Sequence, residues 1–424
     1  MKPTVLLIGT LDTKGRETAY LAARVRAAGC DTLILDSGIL GEADGVVADF
    51  DRAAVARAAG SDLQTIRDSG SRGKAVERML VGVRAIALDL ERQGKIHGVI
   101  ALGGAEGSVL AAAAMLALPF GLPKLLVSPI ASGRRTFGPF VGTKDVLVMH
   151  SVVDILGLNP IAREVFDNAA AAIAGMAARY AARTPTTATR TAVAATMLGN
   201  TTAPLMRVRE ALDARGVDLV LFHANGAGGA AMEEAIESGM VAAVLDYTLS
   251  ELAAEVVGGF HQSPRTRLDA AAATGIPQVV VPGCVDFVVF GPRAEVPEAF
   301  AGRPSYYHNP EFTLVRVTHE EQREIARRIA ARLNAARGPV DVLVPLRGLS
   351  IPNREGGEFW APDIDAAFRD ELRGALAPGI AYTEIDAQIN DDAFSARALE
   401  ALARALETQG GASHGLSHPA HQAV

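Results

Sequence analysis

Cysteine is almost absent. Cys30 and Cys284 are the only two, they lie far apart, and they follow no metal-ligand spacing. That leaves no disulfide framework and points to a reduced, cytoplasmic protein. Aromatic residues make up only 5% of the chain, and Trp360 is its one tryptophan. It sits in a long loop, where a packing anchor is the expected role rather than a base-stacking platform. No apolar run approaches the roughly 20 residues of a membrane span. The alanine run at 169–174 is short and flanked by charges, and MKPTVLLIGT at the start is too short for a signal core. No membrane partner is expected. Positive charge is not in surplus either: 41 Lys and Arg against 48 Asp and Glu give a net charge of −7. A nucleic-acid partner therefore lacks its usual electrostatic footprint. HExxH, GxSxG, the GxxxxGK[ST] loop and a GxGxxG after the first strand are all missing.

What is present is 49% hydrophobic residues, 42 glycines and a regular alternation of short apolar runs with helical stretches. Thr4–Ile8, Thr32–Leu35, Val99–Leu102, Lys124–Ser128 and Val146–Met149 read as strands covered on both faces. Helices are expected over Glu17–Ala28, Lys74–Gln93, Ser108–Leu118 and Asn159–Ala182. The polar stretch 41–73 reads as an excursion with one short helix near Arg52–Ala58. Arg183–Arg190 is the best linker, and the pattern then restarts from Thr191. The expected fold is α/β: two Rossmann-like three-layer domains with mostly parallel sheets, at residues 1–184 and 185–409. A histidine-containing tail over 410–424 is expected to be disordered.

In parallel sheets, ligands bind beyond the carboxyl ends of the strands. Three polar turns fall there in the first half. VIALGGAEGS joins a strand to a helix through Gly103, Gly104 and Gly107, with Glu106 between them and Ser108 opening the helix. Amides and helix dipole at such a turn suit an anion such as phosphate. Gly9–Gly15 carries Thr10, Thr13 and Lys14 as phosphate partners and Asp12 as an oxygen ligand for Mg²⁺. Ser132 and Gly133, with Ser128, Thr143, Lys144 and Asp145, are candidates to complete the pocket, while Arg134 and Arg135 read as a solvated pair. In the second half, His223 at a strand end leads into Asn225, Gly226, Gly228 and Gly229, then Glu233. This combination suits an oxyanion or carboxylate site with an acid–base residue. Asp246 and Asp286 are expected to support His223 and Glu233 catalytically, with Glu251 and His308 in the same group.

These stretches resemble the Tm-1-like ATP-binding family, also called UPF0261. The likeness is carried by GTLDTKG at Gly9–Gly15, LGGAEGS at Leu102–Ser108, SPIASG at Ser128–Gly133 and FHANGAGGAAMEE at Phe222–Glu234. LDYTLSELA at Leu245–Ala253, PGCVDFVVFG at Pro282–Gly291, YHNPEFTLVR at Tyr307–Arg316 and DAQINDDAF at Asp386–Phe394 continue it over almost all of residues 3–408. The resemblance implies two Rossmann-like domains, ATP with Mg²⁺ in the first, and a homodimer; it names no reaction. The family's central turn has a small Ser-Gly pair where this chain has Ala105-Glu106. A carboxylate there repels phosphate unless Mg²⁺ bridges them, which makes Glu106, with Asp12, a candidate metal ligand. The primary expectation is thus ATP binding at the first domain's glycine turns. One alternative is an enzyme, a hydrolase or lyase, acting on a small oxo-acid or sugar-acid in a cleft between the domains. Another is a ligand-controlled binding module without turnover.

Overall fold

The computed structural model describes residues 2–131, 138–184 and 190–412. Contacts divide the chain into two compact units, Met1–Thr186 and Thr187–Val424.

The first unit runs β1 (Thr4–Gly9), α1 (Leu11–Ala27), β2 (Asp31–Asp36), α2 (Arg52–Ala58), α3 (Leu63–Arg67), α4 (Arg72–Arg92), β3 (Gly98–Leu102), α5 (Ala105–Ala117), β4 (Lys124–Ser128), α6 (Gly138–Val141), β5 (Val146–His150) and α7 (Pro160–Ala182). Its sheet has the order β2-β1-β3-β4-β5 and is parallel throughout. The two-residue period of a strand explains the layers. Leu6, Ile8, Val99, Ala101 and Leu126 enter the core on one face. Their neighbours Val5, Leu7, Ile100, Leu102, Leu125 and Val127 enter a second core on the other. A strand apolar at every position is what two helical layers require. Strand order reverses between β1 and β3, so the crevice beyond their carboxyl ends is the natural ligand position.

The second unit runs β6 (Thr191–Met197), α8 (Thr202–Asp213), β7 (Val217–His223), α9 (Ala227–Glu237), β8 (Ala243–Thr248), α10 (Ser250–Val257), α11 (Asp269–Thr274), β9 (Gln278–Gly283), β10 (Phe287–Phe290), β11 (Ser305–Asn309), β12 (Phe312–Arg316), α12 (His319–Leu333), β13 (Val340–Pro345), α13 (Pro362–Ala375), β14 (Ala381–Ile385) and α14 (Asp392–Ala412). Its six-stranded sheet, β14-β13-β9-β8-β6-β7, is parallel. The first five strands in sequence repeat the connectivity of the first unit, with β14 added at one edge.

The antiparallel sheet β10-β12-β11 is a departure from the expected βα alternation. Its hairpin turn is set by Asn309, whose Oδ1 accepts from the amides of Glu311 (2.9 Å) and Phe312 (3.0 Å). Four further differences are local. α3 and α6 are extra short helices. α1 begins at Leu11, six residues early, with a break at Lys14 (φ −129°, ψ 17°). Gly410–Ala412, assigned to the tail, continue α14. In the loop after β13, Phe359 rather than Trp360 is the buried anchor, packing on Phe287 and Tyr306. Most of the linker and the rest of the tail lie outside the described residues.

Candidate functional site

The first unit holds a cavity of about 790 Å³ at the β1/β3 switch point. Thr10, Asp12, Thr13 and Lys14 line it from the turn after β1, and Gly104, Ala105, Glu106 and Gly107 from the turn after β3. No side chain caps α5. Among the described residues, no hydrogen bond within the chain takes up the amides of Gly104, Ala105, Glu106 or Gly107. Four donors and the positive end of a helix dipole are therefore open to the cavity. Lys14 has no partner among the described residues, and the break in α1 places it on the rim.

The other sequence-predicted residues support this turn from behind. A Cβ on Gly103 would lie 2.5 Å from Gly107 C and Ser108 N, and one on Gly9 would lie 2.7 Å from Thr18 Oγ1. These glycines let the chain pass itself closely. Ser108 is buried, donating to Gly103 O (2.9 Å) and sharing a 2.8 Å contact with Ser128 Oγ. It holds the turn together and does not reach the cavity. Asp36, at the end of β2, is likewise engaged: it accepts from Leu11 N, Gly38 N and Arg52. Ser132 and Gly133, like Arg134 and Arg135, lie outside the described residues.

Arg72 is the residue that sequence reasoning missed. It opens α4, lines the cavity, and pairs with Glu106 Oε2 at 2.5 Å. The carboxylate that would repel phosphate is thus neutralised locally. Arg67 also lines the cavity and ties down the segment after β2 through Ile39 O (2.6 Å) and Leu40 O (3.0 Å). Asp12 accepts from Gly41 N at 3.2 Å in the same segment. The signal for Arg72 was the helix start at Ser71, whose side chain caps Lys74 N. Only strand order shows that this start lies beside Glu106.

In the second unit the expected anion nest is filled from within. Glu251 Oε1 accepts from the amides of Gly226 (2.6 Å) and Gly229 (3.0 Å), and Gly228 N is turned to Asn225 Oδ1 at 3.4 Å. Glu251 Oε2 receives Arg267 Nε at 2.7 Å. Arg267 also binds Glu233 at 2.9 Å and Asp246 at 3.0 Å, and all four side chains are 1% exposed. Glu233 further accepts from Leu268 N and Ala270 N, both at 2.7 Å, and Asp246 from Thr196 Oγ1 at 2.6 Å. Burial pushes the Glu233 and Glu251 carboxyls above their ordinary range. Burial opposes the Arg267 charge, but Asp246, Glu251 and Glu233 outweigh it and its pKa rises. Glu233 and Asp246 therefore belong to a sealed charge cluster, and neither lines the first-unit cavity.

Asp286 is separate again. It is fully buried, takes Ser350 Oγ at 2.7 Å on Oδ2, and leaves Oδ1 without a partner among the described residues. Burial, only partly offset by Arg316, raises its pKa to about 6. Of the proposed catalytic set only His223 lines a cavity, one of about 280 Å³ that Asn225, His261 and His308 share. Burial lowers the His223 pKa, and burial plus the nearby His223 lowers that of His261 to about 4, so both rings are neutral at pH 7. Among the described residues no group of three or more His, Cys, Asp or Glu is placed to hold a metal ion, and no helix is long and apolar enough to cross a membrane.

Family models match both halves of the chain: the N-terminal domain of the uncharacterised protein family UPF0261 over residues 3–182, and its C-terminal domain over 190–406. The chain belongs to the UPF0261 family. A UPF0261 protein of Clostridium tetani is 38% identical over 408 residues, covering 96% of this chain and all of that one. The tomato (Solanum lycopersicum) ToMV susceptible protein tm-1(GCR26) is 33% identical over 394 residues, covering 88% of this chain and 52% of that longer protein. Among solved structures, a Streptomyces glycosyltransferase, SsfS6, complexed with thymidine diphosphate, is 13% identical at a TM-score of 0.19, covering 67% of this chain and 83% of that one. A likeness that loose says nothing about this family's chemistry. The family's own description assigns no activity, so the site must be read from its geometry.

Proposed function

We propose that the first unit binds ATP together with Mg²⁺ in the β1/β3 cavity. The observation that carries this reading is the set of α5 amides that, among the described residues, have no partner and open on a cavity lined by three cations, Lys14, Arg67 and Arg72. Amides cradle phosphate oxygens, and cations neutralise their charge. A cavity of about 790 Å³ has room for a nucleotide.

Mg²⁺ fits the same residues. It binds through one or two carboxylates and completes its shell with phosphate oxygens and water, so it needs no all-protein cage. Asp12 and Glu106 would hold it, and its charge would screen the phosphates from both carboxylates. Thr10 and Thr13, whose hydroxyls lie 3.1 Å apart, would orient phosphate oxygens. The reading assigns binding and no turnover. A homodimer in the cytoplasm is part of the same proposal, supported only by family likeness and cysteine usage.

The test is calorimetric titration with ATP, with and without Mg²⁺. Micromolar binding that requires Mg²⁺, weakened about tenfold or more by Lys14→Ala or Arg72→Ala, supports the reading. No heat at millimolar ATP in either condition overturns it.

A further inference from the structure

The 280 Å³ cavity of the second unit lies outside the ATP reading. Its lining contains no Lys, Arg, Asp or Glu. An anionic substrate would find no countercharge there, and the neighbouring glycine nest already holds Glu251. The cavity offers neutral hydrogen-bonding groups in fixed orientations instead.

Three asparagines line it, each with its carbonyl oxygen tied to a backbone amide. Asn200 Oδ1 accepts from Ile351 N (3.2 Å), Asn225 Oδ1 from Gly228 N (3.4 Å), and Asn309 Oδ1 from Glu311 N and Phe312 N. Each therefore keeps its NH₂ group as a donor with no partner among the described residues. His261 supplies the opposite character. Ser250 Oγ spends its single proton on Ala224 O at 2.7 Å, so the 3.3 Å contact with His261 Nδ1 requires that nitrogen to donate. Nε2 then carries the lone pair of a neutral imidazole and is an acceptor. Phe260 and Phe312, 58% and 41% exposed, offer apolar ring faces at the same cavity.

We propose that this cavity binds an uncharged nucleobase, as the free base or nucleoside, stacked on phenylalanine and read by asparagine NH₂ donors and an imidazole acceptor. Ring nitrogens and carbonyls of a base accept from amide NH₂ groups, and its N–H groups donate to His261. Base–aromatic stacking supplies the apolar part. Small planar heterocycles satisfy donors, acceptor and ring faces together. A phosphate on the ligand gains nothing here.

The test is titration of the full chain with uracil, uridine, cytidine, adenosine and guanosine, followed by calorimetry and ligand-observed NMR. At least one saturates below about 1 mM, and its 5′-monophosphate binds no more tightly. His261→Ala, Phe312→Ala and the solvent-exposed Asn225→Ala each weaken it about tenfold, while Lys14→Ala and Arg72→Ala in the first unit leave it unchanged. Asn225→Ala keeps the test decisive if a buried change unfolds the unit. Four outcomes overturn the proposal: no base or nucleoside saturates, binding follows Lys14 rather than His261, pyruvate or methyl glucoside binds instead, or an oligouridylate binds more tightly than uridine. Because first-unit variants are scored in the same experiment, failure here is distinguishable from failure of the ATP reading.

Discussion

Replacing Arg267 with methionine tests the sealed cluster directly. The guanidinium serves three carboxylates, and each partner is 1% exposed. Methionine keeps most of the volume but removes the charge, so Glu233, Asp246 and Glu251 are left facing one another in a dry interior. Removing one partner of a buried ion pair costs about 3–5 kcal/mol, because the remaining charge stays desolvated. For a unit of this size that corresponds to a fall in Tm of about 6–20 °C. The loss depends on pH. Burial already raises the Glu233 and Glu251 carboxyls. Without Arg267 they rise further above their unfolded values, so the variant is most stable below the unfolded carboxyl pKa and loses stability as pH rises. Calorimetric scans at pH 8 and pH 5 should therefore show a large Tm deficit at pH 8 and a smaller one at pH 5. Arg267→Lys should not rescue it, since one ammonium cannot fork to three carboxylates. Glu251→Gln should be milder, because its amide oxygen still accepts from Gly226 and Gly229. A Tm within about 2 °C of the parent at pH 8 would refute the reasoning.

Gly103→Ala should cost about 1–3 kcal/mol in urea unfolding, since its Cβ would meet Gly107 C and Ser108 N at 2.5 Å. Gly104→Ala, with nothing within 4 Å of its Cβ, should stay within about 0.5 kcal/mol; equal losses would remove the packing explanation. Asp286 has its pKa raised to about 6. The fold thus favours its protonated form, and that stabilisation, about 3 kcal/mol, is full below the unfolded pKa and lost as pH rises to about 6. Asp286→Asn should show none of that slope in unfolding measured from pH 4 to 7, and an unchanged slope would locate the titration elsewhere. Glu106→Gln removes the repelling carboxylate and releases Arg72, so ATP affinity without Mg²⁺ should rise about fivefold by calorimetry. A fall would mean that Glu106 does not oppose phosphate.

Most of the first unit was legible in the sequence because a doubly covered parallel strand has a plain signature. Val99–Leu102 is apolar at every position, and the glycines that follow have few other uses. The same logic misled in the second unit. His223 to Glu233 reads as a site from composition, yet Glu251, about twenty residues on, supplies the carboxylate that the nest binds. Nothing local announces that contact, in which Glu251, at the start of α10, accepts from the amides of the turn that opens α9. Arg267 was equally silent: in Arg265-Thr266-Arg267 before an alanine run, nothing separates the buried arginine from its partly exposed neighbour until burial and its three partners are known. The β10–β12 sheet was missed because its strands interrupt the βα rhythm, although Asn309-Pro310-Glu311 is a turn signal between two β-rich runs.

The two units share connectivity and each places glycines at a helix start beyond a strand end, but the chain uses these turns in opposite ways. In the second unit the amides of Gly226 and Gly229 are satisfied by Glu251, and the helix dipole is met by a carboxylate of the chain itself. At Gly104–Gly107 the corresponding amides have no acceptor among the described residues, and the carboxylate within the turn, Glu106, is paired with Arg72. An open nest with cations at its rim selects an anion, whereas a filled nest beside an uncharged cavity selects against one. If both readings hold, Glu251→Gln should weaken the closed nest without giving it phosphate affinity, because Arg267, Glu233 and Asp246 still seal it. Inorganic phosphate, titrated against that variant and against Lys14→Ala, separates the two nests by a measurement that needs no knowledge of the natural ligand.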